Sequence, residues 1–145
     1  MSVDTDIVVR RLTAMRRLLD HLDSLQVASA EDLLDLGVRL QVERVLTQLV
    51  NLAAEINAHV ASASGLPPED YRQGFDRMRE EGFITAELAD ELKPSVGLRN
   101  ILTHEYVEIN LGQVAASVPR ALDGYAQYVR QVATALRGAT GRVGG

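Results

Sequence analysis

Cysteine and tryptophan are absent from this sequence of 145 residues, and only 4% of the residues are aromatic. A chain without cysteine forms no disulfide, no thiolate metal site and no cysteine nucleophile. The sequence also lacks the run of ~20 apolar residues that a transmembrane helix needs. Its N-terminus, MSVDTDIVVRRL, shows no signal-peptide pattern. Together these features predict a cytoplasmic protein that has no membrane partner and that suits a reducing compartment.

An excess of basic residues is missing as well. The formal net charge is −5, and the isoelectric point is about 5.2. Proteins that bind nucleic acid without selectivity usually carry a broad basic surface. The composition therefore gives no reason to expect DNA as a partner, and any nucleic-acid binding must rely on a local site.

Apolar residues recur at the spacing of helices, and the alternation typical of strands is hard to find. This pattern predicts an all-α bundle of four or five helices with short connections. We expect a single domain over residues 1–137 and a flexible tail, GATGRVGG, over residues 138–145. The predicted helices run from about Asp4 to Leu25, from Ser29 to Ala63, from Tyr71 to Gly82, from Thr85 into the stretch RNILTHEY, and from Asn110 to Leu136.

The second predicted helix carries unusually little charge. Ser29 and Asp32 have the spacing of a capping box and are expected to start it. Between Thr47 and Gly65 its only formal charge is Glu55. Exposed helix faces normally hold more charge than that. We therefore expect this helix to be covered on more than one side, by its own bundle and by a second copy of the chain.

Two histidines outside the main motif have simpler interpretations. Glu55 and His59 stand four residues apart, so both could face one metal ion. His59 is also in register with the apolar Leu52 and Ile56, which favours a buried or interfacial histidine. His21 is expected to lie at the surface. No established metal-binding motif occurs in the sequence, and we predict neither a metal site nor a cofactor.

The stretch RNILTHEY concentrates three functional side chains, Arg99, His104 and Tyr106. Histidine can accept or donate a proton at neutral pH. Arginine keeps its charge and binds phosphate oxygens with a planar fork. The pair suits phosphodiester chemistry without a metal. Equally, such residues near a helix C-terminus can simply bond the last carbonyls, and spacing alone does not separate these interpretations.

Helix geometry places a constraint on this stretch. Arg99 and Tyr106 fall roughly on one face, whereas His104 lies about 140° around the helix from Arg99. Two arrangements could bring Arg99 and His104 together. Either the helix ends and turns near Thr103, or a second subunit brings its own copies across a two-fold axis.

The motif resembles a known family. Arg99, His104 and Tyr106 form the R-x4-H-x-Y pattern of HepT-like toxins in the HEPN superfamily. Asn100, the segments EGFITAELADEL and EYVEIN, and the long uncharged helix also look like that family, and the resemblance spans roughly Asp4 to Leu136. It implies a homodimeric, HEPN-like helical bundle with a metal-independent ribonuclease site at the dimer cleft, and RNA as the substrate.

The resemblance also implies a role for each residue of the motif. His104 would be the general acid and base, Arg99 would hold the scissile phosphate, and Asn100 would support them. The ribose 2′-hydroxyl would attack the phosphate and leave a cyclic phosphate. Tyr106 matches the tyrosine to which a cognate antitoxin, a minimal nucleotidyltransferase of the MntA type, attaches AMP.

Two other functions remain open at this point. The chain could be a non-catalytic helical dimer that binds a nucleotide or regulates a partner nucleotidyltransferase. It could also be a structural bundle in which Arg99 and His104 only cap a helix. The intact pair of Arg99 and His104 favours the toxin of a toxin–antitoxin system.

Overall fold

The computed structural model describes the backbone of residues 3–105 and 107–144 and the side chains of 3–105 and 107–138. Within these ranges the chain forms five α-helices and one short 3-10 helix, with no strand, which confirms the predicted all-α bundle. The elements in chain order are α1 (Thr5–Ser24), the 3-10 helix (Ala30–Leu33), α2 (Leu36–Ser64), α3 (Tyr71–Glu80), α4 (Ala86–His104) and α5 (Leu111–Gly144).

Polar side chains fix the start of every α-helix. A side-chain oxygen at each N-cap accepts a hydrogen bond from the backbone N–H three residues further on, over 2.7–3.3 Å. Each bond satisfies an N–H group that has no partner inside the helix. The caps are Asp4, Asp35, Asp70, Thr85 and Asn110.

The predicted start of the second helix is wrong. The capping box of Ser29 and Asp32 is present, but it begins the 3-10 helix. The capping box stabilises only the short turn of the 3-10 helix. Asp35 then has an extended backbone and is the N-cap of α2, where its side chain accepts the N–H of Val38 at 3.0 Å. Hydrogen bonds from the N–H groups of Ala28 and Ser29 lower the pKa of the Asp32 carboxyl, as expected for a capping carboxylate.

The end of α5 also lies later than the sequence indicated. The helix continues to Gly144, through most of the segment that was predicted to be a tail. Leu136 is the last buried residue described. Extending an existing helix requires no new nucleation, so weak helix formers can follow its last packed turn. The division into a domain and a tail stays a prediction.

Helix α2 is the centre of the bundle. It packs against all four other α-helices and against the 3-10 helix. Its one charge in the uncharged stretch, Glu55, forms an ion pair with Arg11 of α1 at 2.8 Å. The other helices of the same chain thus cover α2 on several sides. This confirms the part of the prediction that concerned its own bundle. Although α2 is long, no helix in the described part of the chain is both long and apolar enough to span a membrane.

A small polar network lies inside the core. Asn57 of α2 is fully buried, and its Oδ1 accepts a hydrogen bond from the Tyr128 hydroxyl at 2.6 Å. The rings of Phe75 and Tyr125 each meet the Tyr128 ring edge-on, with centroids 6.2 Å apart. Burial raises the pKa of both tyrosines, so their hydroxyls stay neutral. The network joins α2, α3 and α5.

We expect the Tyr128→Phe substitution to lower the free energy of unfolding by about 1–3 kcal/mol, because Asn57 Oδ1 would remain buried without its donor. The matched variant is Tyr125→Phe. The Tyr125 hydroxyl is 2.6 Å from Ser95 Oγ, and the Ser95 hydroxyl donates to the Leu92 carbonyl at 2.6 Å. Tyr125→Phe should therefore destabilise the protein less. Urea unfolding of both variants measures the difference, and an equal loss of stability would contradict it.

Candidate functional site

Three elements hold the side chain of Arg99. Its Nε donates a hydrogen bond to Oδ1 of Asn51 on α2 at 3.1 Å, and its Nη1 donates to Oδ1 of Asn100 at 3.2 Å. Its guanidinium carbon lies 5.3 Å from the centre of the Tyr71 ring at the start of α3, which is within the range of a cation–π contact. Helices α2, α3 and α4 thus position one arginine before any ligand arrives.

The Arg99 guanidinium also borders open space. An arginine side chain has five N–H donors, and the two hydrogen bonds described above use two of them. Arg99 lines one cavity of about 260 Å³ with residues of α3 and α4, and a second of about 340 Å³ between α2, α4 and α5. The remaining N–H groups can therefore reach an anion in solution.

This geometry tests the alternative in which Arg99 only caps the end of a helix. The described hydrogen bonds of the Arg99 side chain go to the amide oxygens of Asn51 and Asn100. They do not go to backbone carbonyls at the end of α4. Arg99 is therefore not a helix cap, and the interpretation that gave it only this role is wrong for this residue.

His104 occupies a different face of the same helix. It is the last residue of α4 and is exposed. The helix stays regular up to this point, because the N–H of Glu105 donates to the Ile101 carbonyl at 2.8 Å. Helix α4 does end close to Thr103, as one alternative expected, but its last residue is His104, so no turn between Arg99 and His104 brings the two together. Within one chain, His104 remains about 140° around the helix from Arg99 and about 7.5 Å along it.

The other predicted residues of the motif divide into two cases. Asn100 is exposed and contacts Arg99 directly, so the structure brings these two together. Tyr106 lies outside the described residues. Its role remains a prediction from the sequence.

The two remaining histidines have structural contacts. His59 is half-buried, and its Nε2 accepts a hydrogen bond from the backbone N–H of Asp4 at 2.9 Å, which ties α2 to the start of α1. Glu55 is engaged by Arg11. His21 is exposed, with its Nε2 2.8 Å from Oε1 of Gln41. Among the residues described, no group of three or more potential metal ligands comes together.

Two contributors to the Arg99 environment escaped the sequence reasoning. Asn51 is a polar residue in an otherwise apolar stretch of α2, and that contrast is the signal that could have singled it out. Tyr71 stands four residues before Phe75 and seven before Met78, which is the spacing of one helix face and favours an apolar role. Those two are buried, whereas 38% of Tyr71 is exposed and its ring faces Arg99.

Known proteins have sequences similar to this one. The family model described as "Ribonuclease HepT-like" matches residues 3–132. The chain is 35% identical to the "tRNA nuclease HepT" of Aphanizomenon flos-aquae over 134 residues, which cover 90% of each chain. It is 30% identical to the "mRNA nuclease HepT" of Shewanella oneidensis over 129 residues, which cover 86% of this chain and 94% of that protein.

Solved structures agree with the sequence relatives. A tri-AMPylated HEPN toxin of Shewanella oneidensis in complex with an MNT antitoxin superposes with a TM-score of 0.80 at 25% identity, covering 90% of this chain and 99% of that one. A variant of the MntA–HpeT toxin–antitoxin pair superposes with a TM-score of 0.79, at the same identity and coverage. Because the family model covers residues 3–132 and two nuclease relatives align along most of their length, the chain belongs to the ribonuclease HepT-like family.

Proposed function

We propose that this protein is the ribonuclease toxin of a toxin–antitoxin pair, that Arg99 and His104 cleave RNA without a metal ion, and that an MntA-type nucleotidyltransferase silences it by AMPylation of Tyr106. One observation carries the proposal: the Arg99 guanidinium of the R-x4-H-x-Y motif is fixed by Asn51, Asn100 and Tyr71 at the wall of a cavity. The nuclease relatives and the AMPylated toxin structure support it. The cytoplasm remains the predicted compartment.

Arg99 has the properties that a phosphate-binding group needs. Its charge is permanent, and its planar fork matches two oxygens of a phosphodiester. When the ribose 2′-oxygen attacks phosphorus, negative charge builds up on the non-bridging oxygens. Donors that are already in place stabilise that charge without reorganising at the moment of reaction. The hydrogen bonds to Asn51 and Asn100 supply this preorganisation.

His104 supplies proton transfer in the proposed reaction. A neutral imidazole accepts the proton of the 2′-hydroxyl while the bond from the 2′-oxygen to phosphorus forms. The bond from phosphorus to the 5′-oxygen breaks, and an imidazolium donates a proton to that oxygen. The products are a 2′,3′-cyclic phosphate and a 5′-hydroxyl. Two histidines, one neutral and one protonated, would divide these steps between them.

A homodimer provides the second histidine and brings it to Arg99. The regular helix between Arg99 and His104 separates the two within one chain, so a two-fold axis near the end of α4 is needed to gather them in one cleft. The start of α2 also exposes apolar side chains, with Leu36 62% and Leu40 54% exposed. Such a surface suits contact with a second copy.

AMPylation of Tyr106 would switch this site off by charge and by size. Tyr106 follows His104 by two residues in the sequence. Each added AMP carries negative charge that competes with RNA phosphates for Arg99, and its bulk blocks access to His104. RNA and the MntA-type antitoxin are thus the two proposed partners besides the second copy of the chain.

The main alternative is a non-catalytic helical dimer that binds a nucleotide or regulates a partner nucleotidyltransferase. Such a protein would use Arg99 for binding but would not turn over RNA. Multiple-turnover cleavage by purified protein therefore separates the two functions.

We expect Arg99→Ala and His104→Ala each to reduce RNA cleavage by at least about a hundredfold, because each removes a group that acts on the transition state. Growth arrest on expression without the antitoxin should disappear in both variants. Cleavage of total tRNA and of mRNA, with and without EDTA, measures the effect. The control is His21→Ala, which removes an exposed histidine of α1. Equal toxicity and cleavage by wild type and both motif variants would refute the catalytic assignment.

The same two variants test the shared cleft. Neither Arg99→Ala nor His104→Ala homodimers should cleave RNA, but mixed dimers would hold one Arg99 and one His104 from different chains. We therefore expect part of the activity to return after the two variants are unfolded together and refolded, with light scattering used to establish the dimer. The return should be partial, because a mixed dimer keeps only one of the two histidines. Activity that stays absent in proven mixed dimers would rule out a cleft in which Arg99 of one chain acts with His104 of the other.

We expect Tyr106→Phe to abolish AMP transfer, since the acceptor hydroxyl is gone, while it leaves RNA cleavage in place. Intact-protein mass spectrometry after incubation with the antitoxin and ATP should show one or more added AMP units on the wild type. Tyr71→Phe is the matched control, because it removes another tyrosine hydroxyl near Arg99. AMP that still attaches to Tyr106→Phe would show that the modified residue is a different one.

A further inference from the structure

A cavity of about 260 Å³ opens beside Arg99, on the side away from α5. Residues at the start of α3 and on the C-terminal half of α4 form its walls. They are Asp70, Tyr71, Arg72, Val96, Arg99 and Asn100. The stretch RNILTHEY contributes only Arg99 and Asn100 to this set, and on the α3 side the function proposed above uses only Tyr71, as a contact that holds Arg99.

Arg72 places a second guanidinium at this cavity. Its Nη2 lies so close to α4 that a Cβ atom at Gly97 would be only 3.1 Å from it. The missing side chain at Gly97 therefore lets Arg72 lie against α4, at a position two residues before Arg99. Asp70 lines the cavity as well, and its Oδ1 accepts the N–H of Gln73 at 2.7 Å as the N-cap of α3. Two arginines and one carboxylate thus border one cavity, which gives a local excess of positive charge on a chain whose net charge is −5.

Tyr71 gives the same cavity an aromatic surface. Arg99 covers part of the ring, and 38% of the residue remains exposed. Exposed aromatic rings and arginine side chains together are the usual means of binding single-stranded RNA. The rings stack on bases, while the guanidinium groups bind phosphates.

We propose that this cavity is a nucleotide subsite of the ribonuclease, in which Tyr71 stacks on a base next to the cleavage point and Arg72 binds the neighbouring phosphate. The inference rests on the proposed function and adds two substrate-binding residues to it. It also identifies where an acidic chain places the local positive charge that RNA binding requires. Neither residue takes part in proton transfer. Arg72 acts on affinity alone, whereas Tyr71 acts on affinity through stacking and also holds Arg99 through the cation–π contact.

The test measures RNA binding in the His104→Ala background, so that the RNA stays intact. The probes are a fluorescently labelled single-stranded oligoribonucleotide and labelled total tRNA. Fluorescence anisotropy gives the Kd of each at several salt concentrations. Arg72→Gln should lower the slope of log Kd against log salt by about 0.7, the value for one lost phosphate contact on a single strand. Tyr71→Ala should weaken binding roughly tenfold with the slope unchanged, because stacking involves no ion release.

Two matched variants serve as controls. Tyr71→Phe keeps the ring and should bind like the parent protein. Arg79→Gln removes a solvent-exposed arginine of the same helix that does not line the cavity and that contacts Glu80 at 4.0 Å. With His104 restored, Arg72→Gln should raise KM for RNA cleavage and leave kcat unchanged, as a residue used only in binding does.

The outcomes separate the subsite from the wider function. If the wild type cleaves RNA but Arg72→Gln and Tyr71→Ala bind like Arg79→Gln, the subsite is refuted and the ribonuclease function stands. If the wild type neither cleaves nor binds RNA, the function and the subsite both fail. A fall in kcat at unchanged KM would also refute the subsite, because it would assign Arg72 to the chemical step.

Discussion

The burial of α2 is the constraint on which the rest of the structure depends. Because every other helix packs on it, polar side chains on the covered faces of α2 lie where partners from the other helices can reach them. Asn57 meets Tyr128 of α5, and Asn51 meets Arg99 of α4. The same physical requirement therefore produces a structural bond in one place and an oriented arginine in the other.

Most of the fold could be predicted from local patterns. Helical spacing of apolar residues and good N-caps placed α1, α4 and α5 close to their observed starts at Thr5, Ala86 and Leu111. The start of α2 could not be placed in this way, because Ser29 and Asp35 both offer a cap and only the packing of the chain decides where the long helix begins. The extension of α5 to Gly144 could not be predicted either, because the glycine-rich segment GATGRVGG contains weak helix formers.

The candidate site could be predicted only in part, for a related reason. Arg99, Asn100 and His104 are neighbours in sequence, so a short pattern exposes them. Asn51 is 48 residues away from the arginine that it holds. The contacts of Tyr71 and Arg72 with α4 likewise exist only after α3 has docked. Local spacing assigned Tyr71 to an apolar face because it contains no information about the charge on the opposing helix.

The three-sided hold on Arg99 has a consequence for how such a protein is controlled. A free arginine side chain has about 2 kcal/mol of rotamer entropy to lose, and here that ordering accompanies folding, through Asn51, Asn100 and Tyr71. Binding RNA then requires little further ordering of this group. The Arg99 side chain is already held in one conformation, so a substrate does not have to move it out of a different, inactive one. A nuclease built in this way is competent once it has folded and assembled, and restraint has to be imposed from outside by a second protein.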